Sequence, residues 1–344
     1  MNGIELSKQY FFQVGLPLIQ HEFPLLSQRM AAGLVAGTSQ SGAGSEVGGF
    51  DDEISRDHNW GPRFFVFLTE HDMNQSGEAL QNYLNDKLPS SFAGHELIAT
   101  TLHERHTIVT TPTRNLQDVL QVSSSSLCDE EWLCLPELLL FEYTAGDIFY
   151  EPMPLISPVR EQFSYYPDEV WFKRISFGFF NLHAAGNAAR MVKRDDAVAT
   201  HFYLSFLIET VMRLCFLLCR KYAPYRKWLF RAFTTLPNLP KGLAAKVEAL
   251  ATHINLNTIE QQMYEVLDMV GAMANSSGLI EPLPLRKESS YIWTDFNCYG
   301  FMEAFEQKLQ GPLKGRPYEG PLDMWVANQG PLKPNLMKAA WQPL

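Results

Sequence analysis

Gly44-Ser45-Glu46-Val47-Gly48-Gly49-Phe50-Asp51-Asp52-Glu53-Ile54-Ser55-Arg56-Asp57-His58-Asn59-Trp60-Gly61-Pro62-Arg63 separates two apolar runs, Met30 to Ala36 before it and Phe64-Phe65-Val66-Phe67-Leu68 after it. The second run is continuous and aromatic-rich, which reads as a strand buried on both faces. Between the runs sit glycines and a dense acidic cluster. Glycine lets the backbone approach a ligand closely and present its N–H groups. Carboxylates leading into a buried strand are held rigidly, as a metal site requires. A plain Gly-rich turn followed by a solvated acidic loop fits the same pattern, and spacing alone favours that reading.

The residues themselves add more. The stretch resembles the signature of the nucleotidyltransferase-fold superfamily, which is Gly-Ser, a short spacer, then Asp-x-Asp or Asp-x-Glu opening a strand. It is more closely similar to a branch known only as a domain of unknown function. That branch reads Gly-Ser-Glu, Gly-Phe-Asp-Asp-Glu, then Ser-Arg-Asp-His-Asp-Trp-Gly-Pro. Gly44, Ser45, Glu46, Gly49, Phe50, Asp51, Asp52, Glu53, Ser55, Arg56, Asp57, His58, Trp60, Gly61 and Pro62 match it. Asn59 stands where the second metal-binding acid belongs. A second stretch, Arg213 to Trp228, resembles the same branch's helical motif ending in Tyr-Ala-Pro-Tyr-x-Lys-Trp. Tyr165, Tyr166, Asp168, Trp171 and Arg174 match further positions, as do Glu142 and Glu151 in their local contexts. The resemblance runs from the N-terminal helix to Trp325.

What the resemblance implies is an α+β protein: a nucleotidyltransferase-like N-terminal domain with a mixed β-sheet, followed by an α-helical bundle domain closing one wall of a cleft. The domains are expected at 1–158 and 159–310, with a Pro/Gly-rich extension over 311–344 packed on the body as extended chain. The implied activity is magnesium-dependent transfer of a nucleoside monophosphate from an NTP, ATP by default, to a hydroxyl of a small molecule or protein. Gly44, Ser45 and Arg56 are assigned to the nucleotide, and Asp57 with Asn59 to metal and catalysis. The third carboxylate is left among Glu104, Glu142 and Glu151. Lys227, or Lys221, is assigned to the triphosphate tail. Asp51, Asp52 and Glu53 either compensate for Asn59 or brace the turn. Asn59 also opens a rival from another class, a nucleotide-binding or interaction protein whose metal site has decayed.

Composition bounds these readings. A chain of 344 residues ordinarily holds about two domains of ~150 residues. The formal net charge of −10 argues against a nucleic-acid groove, and so against a transferase acting on tRNA ends. It suits a small-molecule or protein partner. Cys128, Cys134, Cys215, Cys219 and Cys298 form no C-x-x-C pair or zinc pattern, which fits free thiols in a reducing cytosol. The N-terminus has no export pattern. The apolar helix from Phe202 to Cys219 carries Glu209 and Arg213, so it reads as a core helix rather than a span. The reading is cytoplasmic.

Along the chain, residues 5–29 are expected to be helical, with strands at Ala31–Val35, Arg63–Leu68, Thr100–Leu102 and Thr107–Thr111. The last two are expected to keep one wet face. Ser45 is expected to cap a helix. Helices are expected at 77–88 and 115–122, and short strands at Leu138–Tyr143 and Asp147–Tyr150. From Pro167 onward long helices follow to about 275, broken at Pro224, Pro237 and Pro240. Pro224 is expected to gather Arg220, Lys221, Arg226 and Lys227 near a helix C-terminus, where the dipole favours cations. Trp171 reads as core, and His58, His183 and His201 read as structural or bystander groups.

Overall fold

The structure, a computed structural model, describes residues 2–37, 44–56, 60–97, 107–252, 255–287, 296–326, 332 and 334–341. The expected strand at Thr100–Leu102, the Ser/Thr/Gly loop at 38–43 and Glu104 lie outside these residues. The chain divides into two compact units. One comprises Met1–Leu127 and Glu137–Ser164, and the other Cys128–Pro136 and Tyr165–Leu344.

The first unit is α+β. Its sheet contains β1 (Ala31–Leu34) and β2 (Phe64–Phe67); a separate hairpin is formed by β3 (Ser91–Phe92) and β4 (His95–Glu96). β5 (Thr107–Thr110) and β6 (Asp147–Tyr150) complete the sheet, in the order β5-β2-β1-β6. β1 runs antiparallel to β2 and β6, while β2 and β5 are parallel, so the sheet is mixed. All four residues of β2 are buried, as a continuous apolar strand requires. Its Phe64 ring packs between Tyr10 and Phe11, at centroid distances of 5.5 and 5.2 Å. Gly15 lies over the same ring, where a side chain would collide. β1 is built from small residues for the same reason. A Cβ on Gly33 would strike the Asp147 carbonyl, and one on Gly146, whose φ is +83°, would strike that of Leu34. These two glycines set how closely β1 and β6 approach.

Four expectations need correction here. Residues 138–143 are helical, within Glu137–Thr144. Leu138, Leu139, Leu140 and Tyr143 are all buried, so an apolar run without a polar face hid the helical period. The sheet strand at 107–110 has no wet face, because Thr107 and Thr110 are both buried. Its free edge is closed by Gln81, whose Nε2 donates to the Thr107 carbonyl at 2.9 Å while its Oε1 accepts the Val109 N–H at 2.8 Å. A side-chain amide thus substitutes for a neighbouring strand, which protects an edge that would otherwise invite pairing. The helix expected at 115–122 starts earlier, at Pro112 after the Thr111 cap, and ends at Leu120. Residues 3–27 are helical as anticipated, but through a π-helical segment at Phe11–Gly15 and a break at Phe23 before Pro24.

The second unit is helical. Asp168–Asn181 packs against Ala197–Leu218 and Cys298–Glu306. Phe179 stacks on Phe301 and Phe305, at 4.8 and 5.7 Å. Ala197–Leu218 is long and apolar enough to cross a membrane, with mean hydropathy 1.5 over its best window. Yet 56 % of that window is buried within the protein. It also holds the Arg213–Glu209 ion pair, both partners largely buried. Arg174, fully buried, donates from Nη1 and Nη2 to Asp323 Oδ2 at 3.2 Å and from Nη2 to the Leu135 carbonyl at 3.1 Å. Tyr166 covers its guanidinium at 4.7 Å. The C-terminal stretch is not wholly extended: Leu322–Met324 forms a 3-10 turn and Pro334–Trp341 a helix. Leu332 and Met337 pack with Cys134. All five cysteines are free. Burial pushes the thiols of Cys134 and Cys298 up to about 11 and about 12, which keeps them protonated and unreactive.

Candidate functional site

The connection from β1 to β2 carries the motif, and its framework comes from local chemistry. Ser45 to Phe50 makes one turn closed by two bonds, Phe50 N–H to the Ser45 carbonyl and Gly49 N–H to the Glu46 carbonyl, each 2.9 Å. Gly49 has φ +77°. This is a Schellman closure, in which a left-handed residue ends the turn. No helix follows Ser45, contrary to the capping expectation, because Gly48-Gly49 ends the revolution as soon as it begins. Gly44, also left-handed at φ +78°, leads into it.

The acids after the turn are bound into the fold. Asp51 Oδ2 accepts the Gly3 N–H at 2.8 Å and the Trp60 Nε1–H at 3.1 Å. It therefore places a negative charge at the start of the helix Gly3–Tyr10, where the dipole favours one. Asp52 Oδ1 accepts the Ser55 N–H and O–H at 2.9 and 2.7 Å, while Ser55 Oγ accepts the Asp52 N–H at 2.9 Å. That reciprocal pair starts the 3-10 turn Ile54–Arg56. Glu46 is fully buried and ion-paired to Arg63. Burial raises its pKa against the pull of the Arg63 charge. Ser7 ties the far end, accepting the Arg63 N–H at 3.3 Å. Of the two alternatives for Asp51 and Asp52, the geometry gives each a bracing role.

Arg56 lies with its guanidinium 4.5 Å from the Trp60 ring centre, and Trp60 meets His95 edge-on at 5.0 Å. Asp57, His58 and Asn59 lie outside the described residues. Phe141, in the helix Glu137–Thr144, stacks on Phe50 at 6.5 Å and packs against Gly48. The candidate Glu142 is its neighbour on that helix. Glu151 follows β6 and closes the next turn: Oε1 accepts the N–H groups of Leu155, Ile156 and Ser157 at 2.7–3.0 Å, and Oε2 accepts the Ser157 hydroxyl. Among the described residues no group of three or more His, Cys, Asp or Glu side chains gathers as a metal site would.

Burial alone would raise the Glu151 pKa, but the bonds from Ser157, Leu155 and Ile156 outweigh it and hold it below the ordinary value of 4.5. A lowered carboxyl adds stability above its unfolded pKa and loses it as the pH falls through the folded one. Glu151→Ala should therefore cost about 1–2 kcal/mol near neutrality, as loss of a cap does. Urea midpoints measured from pH 7 down to pH 3 should converge for the two proteins below about pH 4.5. A gap that persists at low pH refutes the assignment.

The second motif lies in the other unit and differs from the expected arrangement. The helix Ala197–Leu218 ends in its own Schellman closure, with Arg220 rather than glycine left-handed at φ +51°. Arg220 is held there by Asp168, at 2.8 Å, and by the face of Trp171, 4.0 Å from its guanidinium. Trp171 is buried, as expected, and its Nε1–H donates to the Leu217 carbonyl at 2.8 Å. Arg226 and Lys227 do not sit near a helix C-terminus. They open the helix Arg226–Phe233, where the dipole disfavours cations. Arg226 compensates by pairing with Glu209 at 2.9 Å, and Lys227 lies 5.5 Å from the Trp228 ring. Lys221 is exposed on the turn between the two helices. His183 and His201 hydrogen-bond only carbonyls of their own helical turns, among the described residues.

Residues 132–229 match a family model described as a domain of unknown function, DUF4037. The matched stretch, under a third of the chain, includes Glu142, Glu151, Trp171, Arg174 and the Arg213–Trp228 motif. Comparison with curated proteins and with solved structures gave no match.

Proposed function

We propose that this protein is a nucleotidyltransferase-like enzyme that moves a nucleoside monophosphate from an NTP, ATP by default, to a hydroxyl of a small molecule or protein. One observation carries the reading. The Gly-Ser segment between β1 and β2 is a rigid platform, shaped by two left-handed glycines and pinned to the first helix through Asp51 and Ser7. Glu46, Asp51 and Asp52 are all spent on building it. In sequence the platform leads directly to Asp57 and then to a buried strand, the order in which the superfamily places its phosphate grip and its metal-binding acid.

Asp57 and Asn59 are hard oxygen donors of the kind magnesium takes, and they would hold the ion. When bound it supplies charge neutralisation of the triphosphate and its leaving group. Gly44 and Ser45 would orient the phosphates, and Arg56 would add positive charge. The acceptor oxygen bonds to the α-phosphorus, the bond to the bridging oxygen breaks, and pyrophosphate leaves with that electron pair while the hydroxyl proton passes to solvent. The acidic net charge supports a small-molecule or protein acceptor over a nucleic acid, and the five free thiols support a cytoplasmic setting.

A second reading, a nucleotide-binding protein without turnover, is favoured by Asn59. Calorimetry of ATP with and without magnesium separates the two. The enzyme binds ATP more tightly with the ion and releases pyrophosphate over a panel of hydroxyl acceptors. Binding indifferent to magnesium, with no pyrophosphate, establishes the second reading.

A further inference from the structure

From Cys219 to Val247 the chain carries seven Lys and Arg and no Asp or Glu, within a protein whose net charge is −10. Arg220, Arg226 and Lys246 reach carboxylates elsewhere in the fold, on Asp168, Glu209 and Glu265, at 2.8, 2.9 and 2.6 Å. Lys221, Lys227, Arg231 and Lys241 are exposed and in no ion pair among the described residues. Lys227 and Arg231 stand one turn apart on the helix Arg226–Phe233, on the side opposite the buried Leu229, Ala232 and Phe233. Like charges at that spacing repel, and Lys227 also lies in the first turn, where the dipole disfavours a cation. Both lie 5.5 Å from the Trp228 ring, which attracts a cation without cancelling its charge. A helix that breaks two local electrostatic rules, with no carboxylate brought to it, is set up for an anion from outside.

The surface at the start of this helix carries exposed apolar groups. Arg226 shares a hollow of about 160 Å³ with Phe202, Phe206 and Trp325. Phe202 is 72 % exposed and Trp325 50 %. Val198, one helical turn before Phe202, is 67 % exposed, and Tyr225, just before Arg226, is 42 % exposed. Exposed apolar side chains scattered singly need no partner, but a gathering of large ones rimmed by charge marks a contact surface. The hollow has the volume of a cavity that takes up benzene, so it admits a single ring and neither a helix nor a strand.

We infer that this face of the helical unit binds the surface of an anionic lipid bilayer. Lys227 and Arg231 meet the charged headgroups, while Phe202, Trp325 and Tyr225 enter the headgroup boundary. Aromatic rings and long cationic side chains are the groups that settle at that depth. Each Lys or Arg near such a surface is worth about fivefold in binding. The chain as a whole is acidic and is repelled by anionic lipid, so the basic face leads the approach. A nucleic acid would leave Phe202 and Val198 in water, and a docked acidic helix or strand needs a longer groove than this hollow. The face lies within the second unit and does not rest on the reading of the Gly-Ser segment.

The test is flotation of the full chain with vesicles of phosphatidylcholine alone, and of phosphatidylcholine with phosphatidylserine at about 3:1. The vesicles with the anionic lipid bind at least about tenfold better, and raising the salt from about 0.1 to about 0.5 M lowers that binding. Lys227→Gln combined with Arg231→Gln weakens binding about 20- to 30-fold, two charges at about fivefold each. Phe202→Ser weakens it about tenfold through lost apolar contact, which adsorption by charge alone would not do. All three side chains are exposed, so the urea midpoints stay at the wild-type value. If a variant does not fold, the comparison of the two vesicle types still decides. Equal binding to both vesicle types, unchanged binding in the double variant, or unchanged binding in Phe202→Ser overturns the proposal. Capture of polyglutamate or an oligonucleotide without vesicle binding also overturns it, and assigns the face to an acidic protein or a nucleic acid.

Discussion

Asp57→Ala should cut NTP turnover by about a thousandfold, equivalent to about 4 kcal/mol at 1.36 kcal/mol per factor of ten, and should leave the unfolding midpoint unchanged. The bonds that shape the loop among the described residues run through Glu46, Asp51 and Asp52. Asp51→Ala should behave in the opposite way. It removes the acceptor for both Gly3 N–H and Trp60 Nε1–H, and should cost about 1–3 kcal/mol of stability. Asn59→Asp restores the acid that the resembling branch carries and should raise turnover where Asp57→Ala removes it. Pyrophosphate release and urea midpoints, measured side by side on the three variants, separate the chemistry from the scaffold. Turnover in Asp57→Ala equal to wild type would reject Asp57 as the essential acid.

Asp323→Ala should be the most destabilising single change in the helical unit, costing about 3–5 kcal/mol, since it leaves a charged guanidinium buried without its counter-ion. Arg174 is 1 % exposed, and it also meets the Leu135 carbonyl and the Tyr166 ring. Neither neutralises a charge. Replacing both partners, Arg174→Leu with Asp323→Leu, should recover most of the loss, because an apolar pair of similar volume avoids the desolvation cost altogether. Urea unfolding of the two singles and the double closes the cycle. A loss below about 1 kcal/mol for Asp323→Ala would show that Arg174 finds compensation elsewhere.

Local chemistry was legible along the chain wherever neighbours in sequence are neighbours in space. The buried strand Phe64–Phe67 follows from its unbroken apolar run, the helix start at Asp168 from proline and acids in its first turn, and the bend after Ser45 from its glycines. Where the period was erased, as in Leu138-Leu139-Leu140, the same reasoning took a helix for a strand. The tertiary structure alone decided the rest. Asp51 braces the helix start at Gly3 instead of facing a ligand, 48 positions away. Gln81 seals a sheet edge 26 positions away. Arg174 finds its counter-charge 149 positions away. The physical reason is the same each time. A polar side chain declares its chemistry in the sequence, but which partner repays its desolvation depends on where the packed chain brings it.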